Sequence, residues 1–444
     1  MASFGGTTDE REGMEESRAS RRRRFGKRKA ALGAFALAVG GAFGGAAVLS
    51  VWGAGASWGE KALAQEQGAA SQQISQSNEP VVGTSYVSPL VETFGDVFIG
   101  ERSFVGPNSV LRAAPGLRFQ IGSDTNAQDN VIARALEANS TIGNETSLAH
   151  HALVRDSEIG DFAFVGFQAE VINSKVSDGA LISAGSQVEN VTIPENALLA
   201  PGTVVTDQAT ADALPTVETA EEDFKRAVLE VNAEFAESYI ELYETEGYDA
   251  VIGVGPNPVT SFNPERVEPE IGTGTEVGEF ARVVGDVVVG PNSEVNDRAA
   301  IRADEGSPIV IGANANIEER VTFHALEGTS IEVGDRLDVG DDAVLHGPLV
   351  VGDDLTAGDN SVIFRVIVGD GVTVGEDVII QGPSLEEGEA LSFTIPDGAV
   401  IPDGAVITDE ASLEAALAGA PQTMADTGGV DPAEYLDSLG HEER

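Results

Sequence analysis

The sequence predicts a mainly β chain: two tandem parallel β-helices wound from six-residue repeats, with α-helices at their flanks. Two periods carry this reading. Aliphatic residues recur every six positions, as in Ile99-Gly100-Glu101-Arg102-Ser103-Phe104 followed by Val105-Gly106-Pro107-Asn108-Ser109-Val110. The pattern returns in Val339-Gly340-Asp341-Asp342-Ala343-Val344 and in Val368-Gly369-Asp370-Gly371-Val372-Thr373. The second period is the domain itself: Gly95-Asp96, Gly100 and Arg112 recur as Gly285-Asp286, Gly290 and Arg302, at an offset of 190. A hydrophobic fraction of 42% is enough to bury two cores despite a net charge of −47.

The elements follow in chain order. Ser20–Lys29 is strongly basic, and residues 30–59 then carry no charge, a stretch longer than the roughly 20 residues a bilayer requires. Arg22-Arg23-Arg24-Phe25-Gly26-Lys27 resembles a twin-arginine export signal, and Ala62-Leu63-Ala64 is a small-x-small cleavage motif. Residues 1–64 thus read as an export signal or an uncleaved membrane anchor through residues 30–59. Either places the rest of the chain outside the cell or on the outer face of its membrane. Residues 65–90 read as a Gln- and Ser-rich linker.

Each hexapeptide suits one short strand and a turn. The aliphatic residue points inward, and Gly or Asp accepts the left-handed turn geometry. Three strands close a triangular coil and the coils stack. This resembles the left-handed parallel β-helix of hexapeptide-repeat proteins, with copy one at 91–212 and copy two at 267–408. Between them, in 213–266, a helix follows Pro215. Thr219 and Glu222 would form its capping box, and Phe224, Val228, Val231, Phe235, Tyr239 and Leu242 its apolar face. The tail 409–444 offers shorter helices at 411–418 and 432–439.

Composition excludes several functions. With 73 acidic against 26 basic residues, a nucleic-acid partner is disfavoured. The absence of Cys excludes disulfides, thiolate zinc sites and thiol nucleophiles. Lysine occurs only at 27, 29, 61, 175 and 225, and an acidic, lysine-poor chain resembles proteins of halophiles, whose charges are screened by dense salt. Removal of residues 1–64 would leave 67 acidic and 16 basic residues, a charge of −51.

Five histidines are available, and four lie in the repeats: His150, His151, His324 and His346. His324 follows Phe323 and His346 follows Leu345, so each sits just past a core residue. Their separation is about one coil plus a small insertion near Glu327–Thr329, which places two imidazoles on adjacent coils at one edge. Such a pair suits a metal held by neutral nitrogens. His441, in the tail, reads as solvated.

These residues resemble the gamma-class carbonic anhydrases. The resemblance rests on Arg302-Ala303-Asp304-Glu305-Gly306, Pro308-Ile309-Val310-Ile311-Gly312, Asn316, His324-Ala325-Leu326-Glu327 and His346-Gly347-Pro348. It implies β-helix trimers with Zn2+, or Fe2+, at each subunit interface, two His coming from one subunit and a third from its neighbour. It also implies reversible hydration of carbon dioxide to bicarbonate, with zinc lowering the pKa of its water toward about 7. By position, His324 and His346 match the paired ligands, and the third falls on Asp341 in copy two but on His150 in copy one. Copy one carries Arg134 and Arg155 at the paired positions. The expectation is therefore complementation: His324 and His346 meet His150 across an interface, with Asp341 as an alternative third ligand. At the reverse interface Arg134 and Arg155 would face Asp341 as an ion-pair cluster.

The resemblance further implies Glu305 as the proton-transfer acid and Arg302 with Asp304 as a structural pair. Copy one keeps Arg112 but has Ala114 in place of the Asp. Glu318 stands where the family has Gln, and copy one keeps Gln128 there. Glu327 is the nearest carboxylate to the loop that is shorter here. The competing readings are a non-catalytic metal-binding or structural β-helix and a hexapeptide acyltransferase. An exported chain with paired histidines fits the latter poorly.

Overall fold

The computed structural model describes residues 72–73, 80–385 and 389–419. The basic segment, the uncharged stretch 30–59, the cleavage motif, the helix expected at 432–439 and His441 lie outside the described residues. No helix among the described residues is long and apolar enough to cross a membrane.

Both repeats are left-handed parallel β-helices. In the first, three sheets run down the solenoid, built from short strands such as Val110–Ala113, Ile132–Ala135, Ser147–Leu148 and Leu153–Arg155. In the second, two faces merge into one 13-stranded sheet. They merge because Val344–Val351 and Val362–Val368 continue around a corner instead of breaking at it. Each interior is a column of aliphatic side chains: Leu111, Ala133 and Val154 in the first; Ile301, Phe323, Leu345 and Ile363 in the second. The glycine after the aliphatic residue has a steric cause. A Cβ on Gly100 would lie 2.5 Å from the backbone of Gly122 in the coil below. The corners take positive φ at side chains that tolerate it, among them Asn108, Asn130 and His151.

The first solenoid begins earlier than its composition implied. Inside the segment 65–90 read as linker, Ser85–Val87 already pairs with Phe104–Val105, and Val81–Val82 folds back antiparallel on Ser85–Val87. Tyr86 explains the anchorage, since it is buried against Phe104 and Tyr239. Likewise Val254–Gly255, within 213–266, pairs with Arg282–Gly285 of the second solenoid.

The connecting helix spans Thr219–Glu246. Its capping box lies one residue before the expected one: the Glu221 side chain accepts from the Glu218 backbone N–H at 2.9 Å. Thr219 is already helical, so the cap falls on Glu218. Phe235, Tyr239 and Leu242 are buried as the spacing requires, but Phe224 is exposed. Lys225 is buried in its stead and donates to the Gly179 carbonyl at 2.6 Å. The tail helix forms at Glu410–Leu417.

The solenoids pack edge to edge at equal height. Asn108 Nδ2 donates to the Arg298 carbonyl, and Asn130 Nδ2 to the Arg320 carbonyl, at 2.8 and 3.0 Å. Both pairs are 190 residues apart, the repeat offset of the sequence. Equivalent corners of the two copies therefore face each other, coil for coil.

Candidate metal centre

Strand register builds half of the site. Arg302 lies beside His324, and His324 beside His346, on adjacent coils of the second solenoid. Phe323 and Leu345 point into the core, so alternation turns both imidazoles outward. The edge of the first solenoid covers this face and delivers His150, just past the strand Ser147–Leu148. His150 Nε2 is 3.3 Å from His324 Nδ1. One donor atom from each of His150, His324 and His346 falls within 4.8 Å of the others, and all three residues are buried.

The donor set fits zinc. Bond lengths of 2.0–2.1 Å at a tetrahedral ion put ligand nitrogens about 3.3 Å apart, which is the His150–His324 spacing. The opposite nitrogens face groups that fix their tautomers. His346 Nδ1 donates to the Gly347 carbonyl at 3.0 Å, leaving Nε2. His150 Nδ1 is 3.4 Å from Asp129 Oδ2. His324 Nε2 is 3.3 Å from Asp304 Oδ1 and 3.5 Å from Glu305 Oε1. A carboxylate or carbonyl behind each ligand orients the ring and raises its basicity.

Behind the imidazoles lies a buried charge network joining three parts of the chain. Arg302 Nε donates to Asp129 Oδ2 of the first solenoid at 2.9 Å, and its Nη1 pairs with Asp304. The Tyr239 hydroxyl, from the connecting helix, donates to Asp304 Oδ2 at 2.5 Å. Burial alone would raise the Asp129 pKa, but Arg302 and His150 outweigh it and hold it at about 2. Asp304 is pulled lower still, burial again being overcome by Arg302 and His324. On the other side Phe167 and Phe364 wall the site, their rings 4.9 and 5.0 Å from His346.

Burial depresses His150 to about 4 and His346 well below its usual value, so both are neutral at pH 7 and open to a metal. Burial raises Glu305 to about 7. These shifts set a pH dependence for the metal-free protein. Between about pH 4 and 6.5 the unfolded chain binds protons that the two histidines refuse when folded, so stability falls as pH falls. Glu305 acts in the opposite sense between about 4.3 and 7, because the folded state then holds the extra proton. Urea midpoints at pH 7, 5.5 and 4.5 should therefore decline modestly in the parent and more steeply in Glu305→Gln. A variant profile no steeper than the parent's would contradict these assignments.

The remaining expected residues lie elsewhere. Glu318 accepts from Asn296 and Asn316 at 3.1 and 2.8 Å, on a different sheet from the histidines. Asp341 caps the Glu319 backbone N–H at 2.9 Å, among Asp359, Asp342 and Glu318. It is outside the histidine cluster, because copy two's own edge is not the one that covers copy two's face. Arg134 and Arg155 pair in register on the first solenoid; Glu170 lies near both, and Arg155 Nε is 3.9 Å from Asp156 Oδ2. Among the described residues the groups acting on Asp341 are Glu319, Asp359, Asp342 and Glu318, not these arginines. His151 is a clasp, with Nε2 2.9 Å from Thr322 Oγ1 and Nδ1 3.3 Å from Asp342 Oδ1.

Asp129 and Tyr239 were not anticipated. Asp129 sits one coil above His150 on the same edge, a position the repeat arithmetic gives once His150 is chosen. Tyr239 belongs to an apolar helical stripe that carries no sign of its polar contact.

No family model matches the chain. It is 41% identical over 61 residues to a carbonic anhydrase of Methanosarcina thermophila, which covers 14% of this chain and 25% of that protein. It is 36% identical over 62 residues to the carboxysome assembly protein CcmM of a Nostoc species, covering 14% of this chain and 11% of that protein. The chain therefore spans a quarter or less of the curated relatives it matches. Among solved structures, a hexapeptide transferase family protein from Anaplasma phagocytophilum aligns at 21% identity and TM-score 0.30, over 34% of this chain and 91% of that one. A putative acetyltransferase from Desulfovibrio desulfuricans aligns at 16% and 0.29, over 80% and 74%. Likeness at that level carries no statement about activity.

Proposed function

We propose that the chain is a zinc-dependent carbonic anhydrase whose metal site is completed between its own two solenoids. The observation that supports this best is the convergence of His150, His324 and His346, contributed by two repeats neither of which carries three histidines at these positions. Fe2+ would suit the same nitrogens. When bound, the metal supplies the Lewis acidity that makes water a nucleophile near neutral pH. The chain's residues do the rest. Three imidazoles hold the ion, and Asp129, Asp304 and the Gly347 carbonyl keep their rings in place. Phe167 and Phe364 form an apolar wall suited to carbon dioxide. Glu305, whose carboxyl is raised by burial to about 7 in the metal-free chain, is the acid to which we assign uptake and release of the proton that hydration liberates.

In this reading one chain is the functional unit for binding carbon dioxide and releasing bicarbonate. A trimer-type assembly is not needed to supply a ligand. Export through residues 1–64 to salt-rich surroundings belongs to the same proposal, and fractionation of the expressing cells tests it. The central test is zinc content followed by stopped-flow hydration of carbon dioxide in high salt. About one zinc per chain with hydration abolished by a chelator is the expected result. Zinc without hydration would leave a metal-binding protein, and no zinc would leave a scaffold.

A further inference from the structure

Arg365 follows Phe364, whose register partner one coil above is His346. Its φ of 56° is left-handed for a residue with a side chain. The guanidinium lies over the Phe364 ring at 4.4 Å from the centroid, and that ring meets His346 edge-on with centroids 5.0 Å apart. Its Nη1 donates to Ser384 Oγ at 3.0 Å, while its Nε is buried with no hydrogen-bond partner. Among the described residues no carboxylate is paired with it. Burial alone shifts its pKa, down to about 10, which leaves it charged at neutral pH.

The chain holds 73 acidic residues against 26 basic ones, although Arg282, which donates to the carbonyls of Ala250, Ile252 and Gly253, also has no carboxylate ion pair among the described residues. Arg102, Arg298, Arg302, Arg320 and Arg336 all have carboxylate partners. Among the described residues the half-buried Arg365 guanidinium has an unused Nε donor and no carboxylate partner, so a small anion would satisfy it. The planar fork matches an oxyanion with two oxygens on one side. Positive potential beside a metal centre also draws anions toward it.

We infer that Arg365 is an anion-docking residue of the histidine site, binding a small planar monovalent oxyanion of the class of hydrogencarbonate and nitrate at the outer edge of the Phe364 wall. The role as a product or inhibitor dock rests on the carbonic anhydrase reading; the anion site itself does not.

The test is nitrate and hydrogencarbonate titration by calorimetry into metal-free and zinc-loaded protein. Parent protein should bind nitrate in both forms. Arg365→Gln should weaken binding at least tenfold, and Arg365→Lys should fall between, retaining charge without the fork. Arg365→Met, which keeps an apolar stem over Phe364, serves if the Gln variant fails to fold. Unchanged thermal midpoints would separate lost binding from lost structure. Parent-like nitrate binding in both uncharged variants, or no binding to the metal-free parent, would overturn the inference. Because the metal-free form is read directly, absence of hydration activity leaves this outcome unaffected.

Discussion

Replacing His150 by alanine is expected to remove zinc from the protein, although the two remaining histidines lie in the other solenoid. His324 and His346 alone give a two-nitrogen site, whereas catalytic zinc sites use three protein ligands. Metal analysis after dialysis should fall from about one zinc per chain to near zero, and hydration should fall with it. The fold should survive, because His150 sits at the interface and not in either aliphatic column. His151→Ala is the control at the neighbouring position. It breaks the contacts to Thr322 and Asp342 and should lower stability while leaving zinc bound. Full zinc occupancy in His150→Ala would refute the two-solenoid centre.

The largest stability loss is expected at Arg302. Its guanidinium is shared by Asp129 and Asp304, and all three side chains are almost wholly buried. Arg302→Ala would leave two carboxylates facing each other in a dry interface with only Tyr239 and the histidines nearby. Breaking a buried ion pair from one side costs about 3–5 kcal/mol. A loss of that order in denaturant unfolding is expected, with both Asp pKa values rising. It should be fullest above pH 4, where both carboxylates are ionised in the unfolded chain, and shrink in acid as they take up protons. Removing Asp129 and Asp304 together with Arg302 should recover part of it, since the uncompensated charges go too. A change below about 1 kcal/mol for Arg302→Ala would mean that the network is solvated, contrary to its burial.

The two β-helices were legible because their determinants are local and repeat. An aliphatic residue, a glycine under a neighbouring backbone and a turn residue with positive φ occur coil after coil. The pairing of His324 with His346 follows from the same arithmetic, since register fixes which side chains become neighbours. The family resemblance names Asp304 as a partner of Arg302, but the arginine's second ion-pair partner could not be read this way. Asp129 lies 173 residues away and meets Arg302 only because two solenoid edges dock. Tyr239 was hidden for another reason: an aromatic at helical spacing serves packing and hydrogen bonding alike. Glu318 shows the converse failure, where matched position in a repeat did not mean matched surroundings, because the two copies present different edges to each other.

The connecting helix has a consequence for concentration. When a site borrows a ligand from a separate subunit, dilution dismantles it. Here 174 residues of covalent chain separate His150 from His324, and Thr219–Glu246 is folded against both solenoids within that interval. The third imidazole is thus present at an effective concentration on the order of millimolar or above, whatever the bulk protein level. Dilution of the protein would leave the three imidazoles together. The tether also releases each repeat from carrying a complete ligand set, so Arg134 and Arg155 can occupy positions that histidines hold in the other half.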